Sequence, residues 1–212
     1  MSAGPSAGLR TIEYFFSLVS PWAYIGHAAF TEISGRHHAR VRYHPVNLSA
    51  VFPQSGGLPL LKRHPSRQRY RMLELQRWRD KRGLPLHPRP RFWPFDATLA
   101  DHVAVALTLA QADVELFLPA AFRAVWEEGR DLADAAVLSE LLRQGGVDAE
   151  EVLAWARSDA TAEHYAWNTE KALDAGVFGS PSYVLEGEVF WGQDRLELLD
   201  DALESAREPY TA

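Results

Sequence analysis

The stretch Phe15-Phe16-Ser17-Leu18-Val19-Ser20-Pro21-Trp22-Ala23-Tyr24 joins the end of a strand to the start of a helix. Thr11 to Phe16 is aromatic and β-branched, the composition of a buried strand. Ser20 then falls at an N-cap position and Pro21 at the first helical one, where a missing N–H costs nothing. Trp22 to Ile33 continues apolar-rich, so the pattern predicts a helix from Pro21 to about Ser34, ended by Gly35. Ser20 thereby sits at the top of a sheet on the positive end of a helix, where a hydroxyl can act on an anion. A Ser-Pro pair before a helix is most often only a cap, so this stretch alone assigns no function.

A second stretch adds what the first lacks. Gly176-Val177-Phe178-Gly179-Ser180-Pro181-Ser182-Tyr183-Val184-Leu185 runs into Glu186-Gly187-Glu188-Val189-Phe190-Trp191-Gly192-Gln193-Asp194-Arg195. Together the two resemble the thioredoxin-like DsbA superfamily, and within it the 2-hydroxychromene-2-carboxylate isomerases and the related kappa-class glutathione transferases. In that group Ser-Pro replaces the redox Cys-Pro at the helix start, a Gly-x-Pro before a strand supplies a cis-proline, and Phe/Trp-Gly-x-Asp-Arg opens the last helix. Residues 12 to 204 follow the group's order, and it is the three motifs in sequence that carry the resemblance.

Composition narrows the chemistry. The 212 residues are 47% hydrophobic, enough for a sizeable core, and suit one domain with a large insertion. A net charge of −6 argues against general nucleic-acid binding. There is no cysteine, which excludes a disulfide framework, thiolate metal sites and any redox dithiol of the protein's own. Thiol chemistry in such a fold must then use an external thiol. Residues 1–9 read as a disordered tail without a signal-peptide pattern, and no apolar run approaches a membrane span, so a cytoplasmic location is expected. His37-His38 after the first helix has no ligand spacing, and no metal is expected.

Along the chain, Val41 to Val46 reads as a second strand whose Pro45 places its end at an edge or bulge. Ala50 to Pro65 reads as a long loop, a kind of segment that is often functional. Residues 62 to 91 then hold eleven of the chain's 22 Lys and Arg, against Glu74 and Asp80 alone. Lys62, Arg63 and Arg67 are the candidates for binding a substrate carboxylate; a solvated helix face is the plainer reading of the rest. Arg67 to Arg82 reads as a helix burying Tyr70, Met72, Leu73 and Trp78, and Leu86 to Thr98 as an ordered, Pro-rich aromatic loop. Helices are expected over Leu99 to Ala112, Glu115 to Glu128, Asp134 to Arg143, Ala149 to Arg157 and Asp159 to Ala175. Asp101-His102 looks like an acid–base pair, but neighbours in sequence point to different helix faces, and His102 is read as structural or exposed. A hairpin, Ser182 to Leu185 and Glu188 to Trp191, and a closing helix from Gln193 to Ala206 complete the order. The fold class is α/β: a thioredoxin-like domain, β-α-β then β-β-α, over 10–50 and 176–207, interrupted by a loop and an all-helical insertion over 51–175.

The candidate site joins remote elements. Ser20 supplies a hydroxyl at a helix N-terminus. Ser180 and Pro181 supply a strand edge on which an extended peptide can pair. Trp191, Gly192, Gln193 and Asp194 offer a carboxylate beside free helix N–H groups, which suits an amino-acid head group. A peptide with a free amino-acid end and a central thiol matches all of these; glutathione is such a molecule, and the resemblance implies it as cofactor. A free thiol has a pKa near ~8.5. A hydroxyl bond to the thiolate contributes roughly 1.5–3 kcal/mol and a helix N-terminus about 0.3–1, together about 1.5–3 pKa units. Ser20 is then a stabiliser of bound thiolate and not a nucleophile.

The resemblance further implies reversible addition of that thiolate to an unsaturated aromatic keto acid, interconverting 2-hydroxychromene-2-carboxylate and trans-o-hydroxybenzylidenepyruvate, in a homodimer. One departure is Ser17, where the group often has Asp. The alternatives are a kappa-like glutathione transferase or peroxidase, and a non-catalytic thioredoxin-like module that binds peptides at the proline edge.

Overall fold

The computed structural model describes residues 10–211; the tail expected over 1–9 lies outside them. Four strands, β1 (Thr11–Phe16), β2 (Arg40–Pro45), β3 (Ser182–Leu185) and β4 (Glu188–Trp191), form one sheet in the order β2-β1-β3-β4. β1 runs parallel to β2 with Thr11 opposite Arg40 and Phe16 opposite Pro45, and antiparallel to β3 with Tyr14 opposite Tyr183. Pro45 is the last residue of an edge strand, where its missing donor breaks no ladder. β3 and β4 are joined by Glu186-Gly187, both with positive φ (53° and 91°), the backbone that a two-residue hairpin requires.

Period-two alternation along β1 feeds two cores. Ile12, Tyr14 and Phe16 face the larger, with Phe30 of the first helix, α1 (Pro21–Arg36), and with Phe122 and Trp126. Phe15 faces the smaller, with Val46, Ala172, Val177 and Val184. Tyr14 is the hub, its ring stacked on Phe16 at 4.7 Å and Tyr183 at 5.2 Å between centroids. Helices therefore cover both faces of the sheet, as an open sheet buried on both sides demands.

Between β2 and β3 lie α2 (Leu48–Gln54), α3 (Pro65–Arg82), α4 (Thr98–Leu109), α5 (Leu118–Trp126), α6 (Ala135–Gln144), α7 (Ala149–Ala156) and α8 (Asp159–Asp174); α9 (Leu196–Ser205) closes the chain. The larger core runs without a break from β1 and α1 through α4, α5, α6 and α7. Asp134, Asp148 and Ser158 cap α6, α7 and α8 through their side chains, as their place before apolar-periodic runs predicts.

Four expectations are corrected. The stretch read as a loop from Ala50 to Pro65 contains α2 and a 3₁₀ turn at Leu60–Lys62. Asn47 caps α2 by accepting the Ser49 N–H at 3.0 Å, and the helix tolerates Pro53 because it ends one residue later. The buried set of α3 is shifted: Leu75 is its one fully buried residue, Met72 and Trp78 are half-buried, and Tyr70 and Leu73 are exposed. The helix expected over Glu115 to Glu128 splits into a 3₁₀ turn at Val114–Leu116 and α5, with Pro119 in the first turn of α5, where proline belongs. Likewise the closing helix starts as a 3₁₀ turn at Gln193–Arg195 before α9.

Candidate functional site

Ser20 has the extended backbone of an N-cap, and its Oγ accepts the Ala23 N–H at 3.3 Å. The same hydroxyl donates to the Ser180 carbonyl at 3.0 Å. The Ser180-Pro181 bond is cis, as its place before a strand predicts. Ser180 Oγ in turn accepts the Ser17 N–H at 3.2 Å. The turn after β1 and the turn before β3 are thus bonded twice, across 160 residues of sequence. Pro21 and Trp22 open α1, and the first-turn amide of Trp22 has no intrahelical acceptor, so the positive end of the helix meets the cis-proline edge at the Ser20 hydroxyl.

The third motif joins through the backbone: Gly192 N–H donates to the Pro181 carbonyl at 2.9 Å. Gly192 has φ +101°, and a Cβ there would lie 2.5 Å from Asp194 Oδ1, so this position needs glycine on both counts. The Asp194 carboxylate folds back over Gly192, stays 40% exposed, and pairs with Arg195 at 3.3 Å. Gln193 is buried; its side-chain oxygen accepts from Arg82 Nε at 3.1 Å and its carbonyl from the same guanidinium at 3.2 Å. Gln193 fastens the end of α3 to this turn. α1 approaches it so closely that a Cβ at Gly26 would lie 2.7 Å from Gln193 Cβ. Trp191 is half exposed and packs on Phe178 at 4.6 Å between centroids.

Asp101, noticed in the sequence only as the neighbour of His102, has a role at this site that sequence reasoning missed. It projects from α4, fully buried, to the turn that carries Ser20. Oδ1 accepts the Leu18 N–H at 2.9 Å, and Oδ2 accepts from Ser17 Oγ at 2.8 Å and from the Tyr165 hydroxyl at 3.0 Å. Burial pushes its carboxyl up to about 7, against the three hydrogen bonds that favour the ion. Burial, and then the Asp101 carboxylate, push the Tyr165 hydroxyl up as well. A carboxylate at this turn is thus present even though residue 17 is serine; it arrives from another element. His102, one residue on, faces away and bonds the Ala156 carbonyl through Nδ1 at 3.0 Å, a structural contact.

The basic candidates divide. Lys62 is exposed on the 3₁₀ turn, and Arg67 is exposed on the first turn of α3. Arg63 is half-buried, donates Nε to the Leu58 carbonyl at 2.8 Å and lies over the Phe52 ring. Burial and the neighbouring Arg67 charge hold its guanidinium below the ordinary value. Among the described residues no cluster of three or more His, Asp or Glu has metal-binding geometry, and no helix is long and apolar enough to cross a membrane.

A sheet in this order, with a helix-capping serine bonded to a cis-proline turn, has the architecture of a thioredoxin-like fold. The chain belongs to the DSBA-like thioredoxin domain family, whose model matches residues 11–204. It is 27% identical over 196 residues to a 2-hydroxychromene-2-carboxylate isomerase from Sphingobium xenophagum, covering 92% of this chain and 98% of that one. It is also 27% identical over 208 residues to glutathione S-transferase kappa 1 from Caenorhabditis elegans, covering 92% of each. A solved 2-hydroxychromene-2-carboxylate isomerase structure matches with a TM-score of 0.75 at 24% identity, over 92% of this chain and 95% of that one, a likeness of fold. The named relatives are enzymes, an isomerase and a transferase.

Proposed function

We propose that the protein is a glutathione-dependent cis–trans isomerase of the 2-hydroxychromene-2-carboxylate isomerase type, acting on a small unsaturated aromatic keto acid. The observation that carries this reading is the Ser20–Ser180 hydrogen bond, which sets a hydroxyl, a helix N-terminus and a cis-proline edge at one point. When bound, glutathione supplies a nucleophilic thiol whose reversible addition turns a conjugated C=C bond into a rotatable single bond.

The residues present fit that ligand. The Ser180 amide makes no hydrogen bond among the described residues, so Ser180 and Pro181 retain a donor for an extended peptide. The Ser180 carbonyl would accept an N–H of such a peptide, and the Ser20 hydroxyl that now donates to it would then be free to hold the sulfur. Ser20 and the first-turn amides of α1 then hold the thiol ionised. Asp194 takes an ammonium group beside the N–H groups of the Gln193–Arg195 turn, Gly192 and Gln193 shape that turn, and Trp191 flanks it. Lys62, Arg63 and Arg67 attract the acid. No residue of this chain is oxidised, in keeping with its lack of cysteine. A cytoplasmic homodimer without nucleic-acid or membrane partners belongs to the same reading.

The second reading, a kappa-like transferase, uses the same residues and is favoured by an equal identity to the kappa relative. Incubation with trans-o-hydroxybenzylidenepyruvate separates the two. The isomerase converts it with glutathione required and conserved. Glutathione consumed in proportion to product would replace the isomerase by the transferase, and the absence of both would leave a peptide-binding module.

A further inference from the structure

The arginines of α3 are not equivalent. Arg77 pairs with Glu74, Arg79 with Asp80, and Arg82 with Gln193. Arg71 has no hydrogen bond and no carboxylate partner among the described residues. It is nevertheless turned inward, on the same helical stripe as buried Leu75 and half-buried Trp78, with its guanidinium stacked over the Trp93 ring at 4.9 Å from the centroid. Burial, and then the charge of Arg63, push that guanidinium down to about 10. Arg71 is therefore held in a partly desolvated place with no anion among the described residues paired to it, an arrangement that costs free energy until an anion arrives.

The place is tied to the site. The indole N–H of Trp93 donates to the Val19 carbonyl at 2.9 Å, one residue before Ser20. Trp22, two residues after Ser20, leaves a second half-buried indole at the same end of α1. A guanidinium whose plane is fixed by stacking on an indole presents two parallel N–H groups to a planar oxyanion, and the aromatic surface beside it suits an apolar body. We propose that Arg71, seated on Trp93, is the anchor for the carboxylate of an aromatic, conjugated acid, and that it holds this acid beside the Ser20 turn. This rests on the reading of Ser20 as the reactive end, but the anchor itself is testable without glutathione.

The probe is trans-cinnamate, with neutral cinnamamide as its uncharged counterpart, titrated calorimetrically into the full chain in the absence of glutathione. Expected is saturable cinnamate binding, weakened about ten- to hundred-fold in Arg71→Met and partly kept in Arg71→Lys, while cinnamamide binds weakly and is not moved by either change. Arg77→Met, on the outward face, leaves binding unchanged and controls for the loss of one positive charge. Circular dichroism checks that the variants fold, and Arg71→Lys, which keeps the charge and stem, reports on the site if Arg71→Met does not. Cinnamate bound equally by the wild type and Arg71→Met, or not bound saturably by the wild type, overturns the proposal. A parallel titration with glutathione names the source of the carboxylate: weakening of glutathione but not of cinnamate in Arg71→Met would assign Arg71 to the tripeptide and overturn it too. Arg71-dependent cinnamate binding in a protein that binds no glutathione would keep the anchor and remove the glutathione reading instead.

Discussion

Asp101 shows how a single side chain can tie a site to a distant element. Three donors converge on it, two of them from the Ser17–Leu18 turn that leads into Ser20. Asp101→Leu leaves those donors buried without an acceptor, at about 1–3 kcal/mol each, and chemical denaturation is expected to register a loss of several kcal/mol. Asp101→Asn keeps an acceptor and the shape, and loses much less. The pH sign follows from the raised carboxyl. The unfolded chain releases this proton near 3.8 and the folded one near 7, so folding stability falls as pH rises between the two and is level above. The melting temperature of Asp101→Asn measured relative to the wild type is therefore expected to rise with pH across that window, and a difference that stays level would contradict the raised carboxyl.

Ser20 was legible because its signals are local: a strand composition, a cap and a proline at consecutive positions. Asp101 was not, because its partners are backbone and hydroxyl groups 83 and 84 residues away, and within its own helix it looks like one charge among apolar neighbours.

At the scale of the element, α3 is the least transparent segment and the most consequential. Its inward stripe is Arg71, Leu75, Trp78 and Arg82, a helical repeat in which two of four positions are arginines. Pattern reasoning that ranks residues by hydrophobicity places Tyr70 and Leu73 inside, but the structure turns them outward, because Arg71 over Trp93 and Arg82 bonded to Gln193 take inward positions that the pattern assigns to solvent. The assignment has a direct check. Leu75→Ala is expected to cost about 2–5 kcal/mol by opening a cavity, whereas Leu73→Ala stays within about 0.5 kcal/mol. The reverse order in denaturant melts would mean that the helix is rotated from the register described. α2 was missed for a simpler reason: Asn47 acts as its cap, a role that a polar residue before a Pro- and Gly-containing stretch does not advertise.

At the scale of the molecule, the order of elements and the sheet were legible because each motif marks a strand–helix or strand–strand junction. How the helices between β2 and β3 are fixed to the sheet was not, because the fastenings are buried polar pairs remote in sequence. Glu115 accepts from the Tyr43 hydroxyl at 2.7 Å and lies 3.2 Å from His27 Nε2. Glu13 accepts from Lys171 at 2.6 Å and bonds His44, whose other ring nitrogen meets Asn168 at 2.9 Å. Burial pushes the Glu115 carboxyl up, but His27 and Tyr43 outweigh it and hold the group below its ordinary 4.5. Glu13 is lowered in the same way, with Lys171 and His44 outweighing burial. A lowered carboxyl contributes stability above its unfolded value and loses it as pH falls through the folded one, so both pairs weaken below about pH 4.5. Glu115→Gln is expected to flatten the acid side of the melting-temperature profile. An unchanged acid limb would mean that this pair contributes nothing to holding the helices on the sheet.

The Ser20–Ser180 hydrogen bond holds the start of α1 and the cis-proline turn in register, and the proposed consequence of that register is the ionisation of a bound thiol. Its most direct test is the ultraviolet titration of the thiolate of glutathione bound to the protein, for the wild type and for Ser20→Ala. Expected is a bound thiol pKa about 1.5–3 units below the ordinary ~8.5, and a return most of the way toward it in Ser20→Ala. A bound thiol that titrates near 8.5 in the wild type, or identically in both proteins, would contradict it.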